Sequence, residues 1–145
     1  MNRIVLATGG FDPIHSGHIK YFQFSKKLGD YLVIGLNSDK WLNNKKGKFF
    51  LPFNEREEII KNLRMVDEVI SFNDDDGTAI DAIQKLLDKY PNKEILFSNG
   101  GDRGKENIPE YDKFCNSPFV KFNFGIGGDN KMNSSSWILK EWENK

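Results

Sequence analysis

Two histidines, His15 and His18, lie three residues apart in the segment of residues 8–18 (TGGFDPIHSGH), and the chain contains no other histidine. Gly9 and Gly10 precede them, and the absence of a Cβ at both positions lets the backbone approach a ligand closely. The segment opens a predicted helix, whose unpaired N–H groups and positive dipole end favour phosphate. Imidazoles there can donate hydrogen bonds to phosphate oxygens as negative charge builds up during a displacement. The segment therefore predicts a phosphate site with two catalytic donors.

Two other roles remain open for the histidine pair. In the first, one histidine caps the helix and the other is a core residue with satisfied hydrogen bonds. In the second, both histidines bind zinc from one helix, and Asp12 supplies the third protein ligand that a catalytic zinc site needs.

Short apolar runs predict the strands that position this segment. Residues 4–7 and 31–36 are apolar along their whole length, which is typical of strands buried on both faces. Residues 66–72 and 94–97 are weaker strand candidates, and residues 119–124 alternate between apolar and polar side chains, as an edge strand does.

Helical patterns lie between these runs. An apolar stripe follows the histidines, and capping boxes are predicted at Asn54 with Glu57 and at Thr78 with Asp81. A last helix with a serine-rich start is predicted over residues 134–142.

Alternating strands and helices predict one α/β domain over residues 1–145, a Rossmann-like three-layer fold with a five-stranded, mostly parallel sheet and helices on both faces. In such a sheet the ligand site lies outside the carboxyl ends of the strands. The segments in which chemistry is expected are therefore residues 8–18, 37–48, 99–105 and 125–136, because each follows a predicted strand.

The balance of charge excludes some classes of partner. The chain has 21 basic and 21 acidic residues, so no overall positive field attracts nucleic acid or an anionic membrane. The single cysteine, Cys115, excludes an intrachain disulfide framework and a cysteine-rich zinc site. No apolar run approaches the roughly 18 residues of a membrane span, and the first residues lack the apolar core of a signal peptide. We therefore expect a cytoplasmic protein without a nucleic-acid or membrane partner.

The histidine segment resembles a known signature. Residues 9–18 (GGFDPIHSGH), directly after a predicted strand, are similar to the HxGH motif of the cytidylyltransferase-like nucleotidyltransferases. Residues 28–39 resemble the branch that contains glycerol-3-phosphate cytidylyltransferase and the adenylyltransferase that makes ADP-heptose from heptose 1-phosphate. Residues 54–69 are similar to the next helix and strand of that branch, and residues 99–102 (NGGD) resemble a turn typical of the heptose enzymes.

The resemblance implies a direct reaction without an enzyme nucleophile. A phosphate oxygen of a small phosphorylated acceptor attacks the α-phosphorus of a nucleoside triphosphate, and pyrophosphate leaves. ATP with a heptose-1-phosphate-like acceptor is expected, and CTP with a glycerol-phosphate-like acceptor is the alternative. A nucleotide-binding protein without turnover is a further alternative. Mg²⁺ is expected to accompany the triphosphate, since it bridges phosphates while using few protein ligands.

The resemblance also implies roles for residues of the first two loops. His15 and His18 hold the triphosphate and stabilise the transition state, and Gly10 and Phe11 approach the nucleotide through backbone groups. The family places a catalytic lysine near residues 45–48, and we select Lys46 over the neighbouring lysines Lys45 and Lys48.

The later loops contain further candidate hydrogen-bond donors to phosphate. Ser134, Ser135 and Ser136 stand at a predicted helix start, where hydroxyl and N–H groups bind phosphates or where one serine is an ordinary cap. Arg103 offers a fork of donors to phosphate, while Asp102 fixes a turn or contacts the acceptor or the base.

Three further residues have more than one open role. Asp12 and Asp39 hold magnesium, orient the site or stabilise turns, and Arg56 faces the ligand or pairs with an acidic residue of its own helix. One departure from the family is the absence of an arginine in residues 125–132, where Lys131 is the only available cation. Relatives are commonly dimeric, and the aromatic side chains of Trp41, Trp137 and Trp142 suit either an interface or a core.

Overall fold

The computed structural model describes residues 2–100, 108–126 and 135–145. Strands and helices alternate along most of the chain. Their order is β1 (Arg3–Gly9), α1 (Ser16–Lys26), β2 (Tyr31–Leu36), α2 (Asp39–Lys46), α3 (Phe53–Lys61), β3 (Glu68–Ser71), α4 (Ile80–Lys89), β4 (Glu94–Gly100), α5 (Pro109–Phe114), β5 (Val120–Ile126) and α6 (Ser135–Glu143).

The strands form one five-stranded sheet in the order β3-β2-β1-β4-β5, and each described pair is parallel. This confirms the predicted α/β fold with a parallel sheet. β1 is central, and four of its residues (Ile4, Val5, Leu6 and Ala7) are fully buried, because parallel strands in the middle of such a sheet are covered on both faces. The alternating run at residues 119–124 is correctly predicted as an edge strand.

Helices cover both faces of the sheet. Ile4 and Leu6 of β1 pack in a core with α4 and α5, whereas Val5 and Ala7 pack in a second core that includes Phe22 of α1. Ile60 of α3 belongs to that second core. Because successive strand residues point to opposite faces, the two cores lie on opposite sides of one sheet.

The structure contains one helix that was not predicted and differs from the prediction at two helix starts. Residues 37–48 contain the helix α2, which begins where the Ser38 hydroxyl accepts a hydrogen bond from the Trp41 N–H at 3.0 Å. Neither predicted capping box forms in full. α3 begins at Phe53 after Pro52, and no side chain caps its start. α4 begins at Ile80 after Ala79, where the Thr78 hydroxyl accepts the Ile80 N–H at 3.3 Å and so supplies one half of the predicted box.

The box at the start of α4 is incomplete because its acidic residue is engaged elsewhere. The Asp81 carboxylate, predicted to reach back to the start of α4, accepts instead the N–H of Asn73 at 2.7 Å.

In the part of the chain described, no helix has the length and apolar character needed to cross a bilayer.

Candidate active site

The carboxyl end of β1 is built around the ring of Phe11. That ring lies edge-on to the imidazole of His18 and to Phe22, with ring centroids 4.9 Å apart in both pairs. A Cβ at Gly9 would lie 2.8 Å from Cζ of Phe11, and one at Gly10 would lie 2.6 Å from a methyl group of Leu42. A Cβ at Gly9 would therefore displace the Phe11 ring, and one at Gly10 would require the Leu42 side chain to move, a reason for glycine that the sequence position alone does not reveal.

Both histidines take part in capping α1. His15 is the residue that precedes the helix, and its Nδ1 accepts a hydrogen bond from the Gly17 N–H at 3.0 Å. The Nδ1 of His18 accepts one from the N–H of His15 at 3.3 Å, and the two rings stack with centroids 3.8 Å apart. Since Nδ1 is the acceptor in each ring, the hydrogen of each neutral imidazole is assigned to Nε2. Helix capping and phosphate donation thus use opposite edges of the same rings.

The pKa of His18 is strongly lowered, from 6.5 to about 3. Burial of the ring is the larger cause, and the charge of the neighbouring His15 is the second. His18 is therefore a neutral imidazole at physiological pH, and the proton that it offers to a ligand is the Nε2 hydrogen.

The zinc interpretation is not supported by this geometry. The Nδ1 atoms of both histidines accept backbone N–H groups, and the Asp12 carboxylate accepts hydrogen bonds from the N–H groups of Phe50 and Leu51, each at 2.6 Å. Among the residues that the structure describes, no three His, Cys, Asp or Glu side chains lie close enough to hold a metal ion.

Lys46 reaches the histidine segment from the last position of α2. Its Nζ donates a hydrogen bond to the backbone oxygen of Asp12 at 2.6 Å and lies 3.2 Å from the Asp12 carboxylate. Lys45 instead lies over the ring of Trp41, with Nζ 4.7 Å from the centroid, and Lys48 is exposed. Of these three lysines, the structure brings Lys46 next to the histidine segment, although from a helix rather than from the expected loop.

Arg56 is a buried brace that joins the ends of neighbouring elements. Its side chain is fully buried and donates to the carbonyl groups of Gly10, Asn37 and Leu51 at 3.0, 2.8 and 2.9 Å. It also pairs with Asp39 of α2 at 2.7 Å. Both predicted roles of Arg56 are therefore wrong, because its guanidinium faces backbone carbonyls and its acidic partner belongs to another helix. Asp39 is engaged by the same contact.

The start of α6 lies against the histidine segment as well. The Ser135 hydroxyl donates a hydrogen bond to the backbone oxygen of Pro13 at 2.7 Å, across 122 positions of sequence. The other predicted residues of these two loops, Asp102, Arg103, Ser134 and Lys131, lie outside the described residues, as does the side chain of Ser136.

Two supporting groups were missed by the sequence analysis. Asp74, which is buried after β3, accepts hydrogen bonds from the Asn37 amide, the Ser38 N–H and the Ser38 hydroxyl at 3.0, 2.8 and 2.8 Å. Tyr21 of α1 donates from its hydroxyl to the Ser98 carbonyl at 2.6 Å. These bonds fix the end of β2 and join α1 to β4, but nothing in the local sequence identifies their partners.

Comparison with known proteins places the chain in a family. Residues 6–108 match the family model described as cytidylyltransferase-like. The bifunctional protein HldE of Pelobacter propionicus is 37% identical over 108 residues, which cover 73% of this chain and 20% of that protein. The FAD synthase of Picrophilus torridus is 43% identical over 72 residues, which cover 50% of this chain and 52% of the synthase. This chain therefore spans about a fifth of the length of the bifunctional relatives.

A solved structure matches over nearly the whole chain. The lipopolysaccharide core biosynthesis protein from Thermoplasma volcanium aligns with a TM-score of 0.67 and 29% sequence identity. The alignment covers 92% of this chain and 99% of that chain.

Proposed function

This chain belongs to the cytidylyltransferase-like family, and we propose that it transfers a nucleoside monophosphate from a nucleoside triphosphate to a small phosphorylated acceptor, with release of pyrophosphate. The observation that carries this proposal is the stacked histidine pair at the start of α1. Each ring accepts a backbone N–H at Nδ1, which assigns the donor hydrogen of the ring to the opposite edge, at Nε2. Two such donors beside a helix start suit the phosphate oxygens of a triphosphate.

The proposed chemistry is positioning and charge stabilisation. In the reaction, an acceptor phosphate oxygen forms a bond to the α-phosphorus as the bond to the pyrophosphate oxygen breaks. His15 and neutral His18 donate hydrogen bonds from Nε2, which strengthen as negative charge shifts to the phosphate oxygens. Lys46, held beside Asp12, adds a positive charge at the same end of the sheet. No covalent intermediate with the enzyme is required, because the acceptor itself is the nucleophile.

We include Mg²⁺ in the proposal as part of the triphosphate substrate. The Asp12 carboxylate is fully buried and engaged by two backbone N–H groups and Lys46, and Oδ1 of Asp39 is paired with Arg56. Magnesium bound to triphosphate oxygens keeps several waters and needs few protein ligands. Its chemistry there is to neutralise phosphate charge.

The proposed substrates are ATP and an acceptor resembling heptose 1-phosphate. The resemblance of residues 99–102 to the heptose enzymes supports this choice, as does the similarity to bifunctional HldE proteins. CTP with a glycerol-phosphate-like acceptor is the alternative within the same branch. The FAD synthase relative adds flavin mononucleotide to the acceptors that need testing.

The proposal is tested by measuring pyrophosphate release for each of ATP, CTP, GTP and UTP with a panel of phosphate acceptors. The panel contains heptose 1-phosphate, glycerol 3-phosphate, flavin mononucleotide and nicotinate mononucleotide, each with Mg²⁺. Release that depends on both a triphosphate and an acceptor supports nucleotidyl transfer. Tight triphosphate binding without release from any pair would instead identify a nucleotide-binding protein without turnover.

We further propose a homodimer located in the cytoplasm. The large exposed side chains of Trp137 and Trp142, 53% and 65% accessible on α6, support the proposal of an interface between two copies. Sedimentation of the purified chain at micromolar concentration tests this, and a monomer at every concentration would contradict it.

A further inference from the structure

We propose that Asp12 is a positioning residue for the transfer reaction, whose buried carboxylate holds Lys46 and the segment that follows α2 against the histidines; this inference rests on the proposed function. We call residues 47–52, which connect α2 to α3, the bridging segment.

The contacts of Asp12 account for its burial. Its side chain has no accessible surface, a position that is costly for a carboxylate unless partners replace the lost water. Oδ2 accepts the Phe50 N–H and Oδ1 accepts the Leu51 N–H, each at 2.6 Å. The Lys46 ammonium lies 3.2 Å from Oδ2 and also donates to the Asp12 backbone oxygen at 2.6 Å. Both carboxylate oxygens are thus satisfied, and all partners come from the end of α2 and the bridging segment.

Leu51 is held on both sides of its backbone. Its N–H is bonded to Asp12, and its carbonyl accepts from Nε of the buried Arg56 at 2.9 Å. Arg56 also contacts the Gly10 carbonyl, which immediately precedes the segment Phe11–Asp12. The bridging segment is therefore attached to the histidine segment through two independent buried side chains, of which only Asp12 also contacts Lys46.

The position of Asp12 gives this attachment a consequence for catalysis. Asp12 is three residues before His15, so the carboxylate that fixes the bridging segment belongs to the same segment as the histidines that donate hydrogen bonds to phosphate. An ammonium has three hydrogens, and Asp12 engages at most two of them, so Lys46 keeps a donor for a ligand. Its side chain is 24% accessible, whereas that of Asp12 is not accessible at all. Asp12 thus acts on the reaction through Lys46 and not by touching substrate.

The attachment is tested first without any ligand, by amide hydrogen exchange. In the wild-type chain the N–H groups of Phe50 and Leu51 should be protected. In Asp12→Asn their exchange should accelerate by about tenfold or more, because a neutral amide replaces a charged acceptor and offers only one oxygen. The matched control is Asp30→Asn, since Asp30 also accepts two backbone N–H groups, from Asn2 and Arg3 at 2.7 and 3.2 Å, before β2.

Asp30→Asn should leave exchange in the bridging segment unchanged. Rapid exchange of Phe50 and Leu51 already in the wild-type chain overturns the proposal, and this measurement requires no variant to fold. Unchanged exchange at these two amides in Asp12→Asn also overturns it. So does a loss of protection that extends through the strands of the sheet, because that result assigns Asp12 a general structural role.

The second readout is kinetic and uses the acceptor and triphosphate that give the highest rate. Asp12→Asn should lower kcat by about a hundredfold, the size expected when a reacting group is misplaced by about 1 Å. The KM for the triphosphate should change much less, since the histidine donors keep their capping bonds. Lys46→Met should lower kcat as well, and combining the two substitutions should cost less than the product of the two single effects. Full multiplicative loss in the double variant would show that Asp12 does not act through Lys46. Should the wild-type chain release no pyrophosphate with any pair, the proposed function fails, while the exchange experiment still decides the attachment.

Discussion

Replacing His18 with asparagine separates its two roles, the bond that caps α1 and the proposed hydrogen bond to phosphate. In the His18→Asn variant, the side-chain amide oxygen can take the place of the imidazole Nδ1 and accept the N–H of His15, a bond of 3.3 Å in the wild-type chain. The shorter amide side chain cannot supply the Nε2 hydrogen on the far edge of the ring. The substitution therefore removes the proposed phosphate donor and retains the bond that caps α1.

The expected loss of rate follows from the role of one donor. Removing a single preorganised donor to developing negative charge typically costs about 3–4 kcal/mol of transition-state stabilisation, so kcat should fall by a factor of about 10² to 10³. The free energy of unfolding should change by only about 1 kcal/mol, because the cap is kept and the edge contact with Phe11 is lost.

The assay is pyrophosphate release by His18→Asn, paired with chemical denaturation of the same preparation. His18→Ala is the comparison, since it removes the donor and the capping bond together and should lose about 1 kcal/mol more stability at a similar rate. A folded His18→Asn variant with the wild-type rate would refute the assignment of His18 as a donor. A His18→Asn variant that loses rate only because it unfolds would show that the main contribution of His18 is the packing of its ring on Phe11 and not hydrogen-bond donation to phosphate.

Three further results are expected. The pKa of His18 is lowered from 6.5 to about 3 on folding, so the unfolded chain takes up the proton first as the pH falls. The free energy of unfolding should therefore decrease by about 2 kcal/mol between pH 7 and pH 5. Chemical denaturation at the two pH values should show this decrease in the wild-type chain and not in His18→Asn. Arg56→Met should lower the free energy of unfolding by about 3 kcal/mol or more, because three buried carbonyls lose their donor. Lys61→Met, at an exposed position of the same helix, should have little effect in the same denaturation experiment. Gly9→Ala should lower the free energy of unfolding by about 1–3 kcal/mol, because it displaces the ring of Phe11. Since that ring packs on His18, the rate of pyrophosphate release should fall as well. Unchanged stability together with an unchanged rate would contradict this packing.

The parts of the fold that were predictable from sequence are those with local signals. The apolar runs of β1 and β2 reveal buried parallel strands because every side chain in them is apolar. α2 was missed because its sequence (DKWLNNKK) is mostly polar, and only Leu42 in it is buried. The cap predicted at Asn54 fails because α3 begins at Phe53, directly after Pro52, which places Asn54 inside the helix.

The histidine segment was predictable for the same reason, since its donors and glycines are neighbours along the chain. The groups that support it were not. Asp12 meets its partners 34 to 39 positions away, and Arg56 reaches a carbonyl 46 positions away, so their roles depend on which loops the sheet brings together. A buried arginine has the same appearance in a sequence as one that faces a ligand.

The central claim is most directly tested by analysing both products of one reaction mixture. With the purified wild-type chain, the best triphosphate and the best acceptor, mass spectrometry should detect the nucleoside monophosphate joined to the acceptor, in amounts equal to the pyrophosphate released. His18→Asn should form both products more slowly and still in equal amounts. Pyrophosphate or inorganic phosphate formed without the joined product would contradict nucleotidyl transfer by this protein.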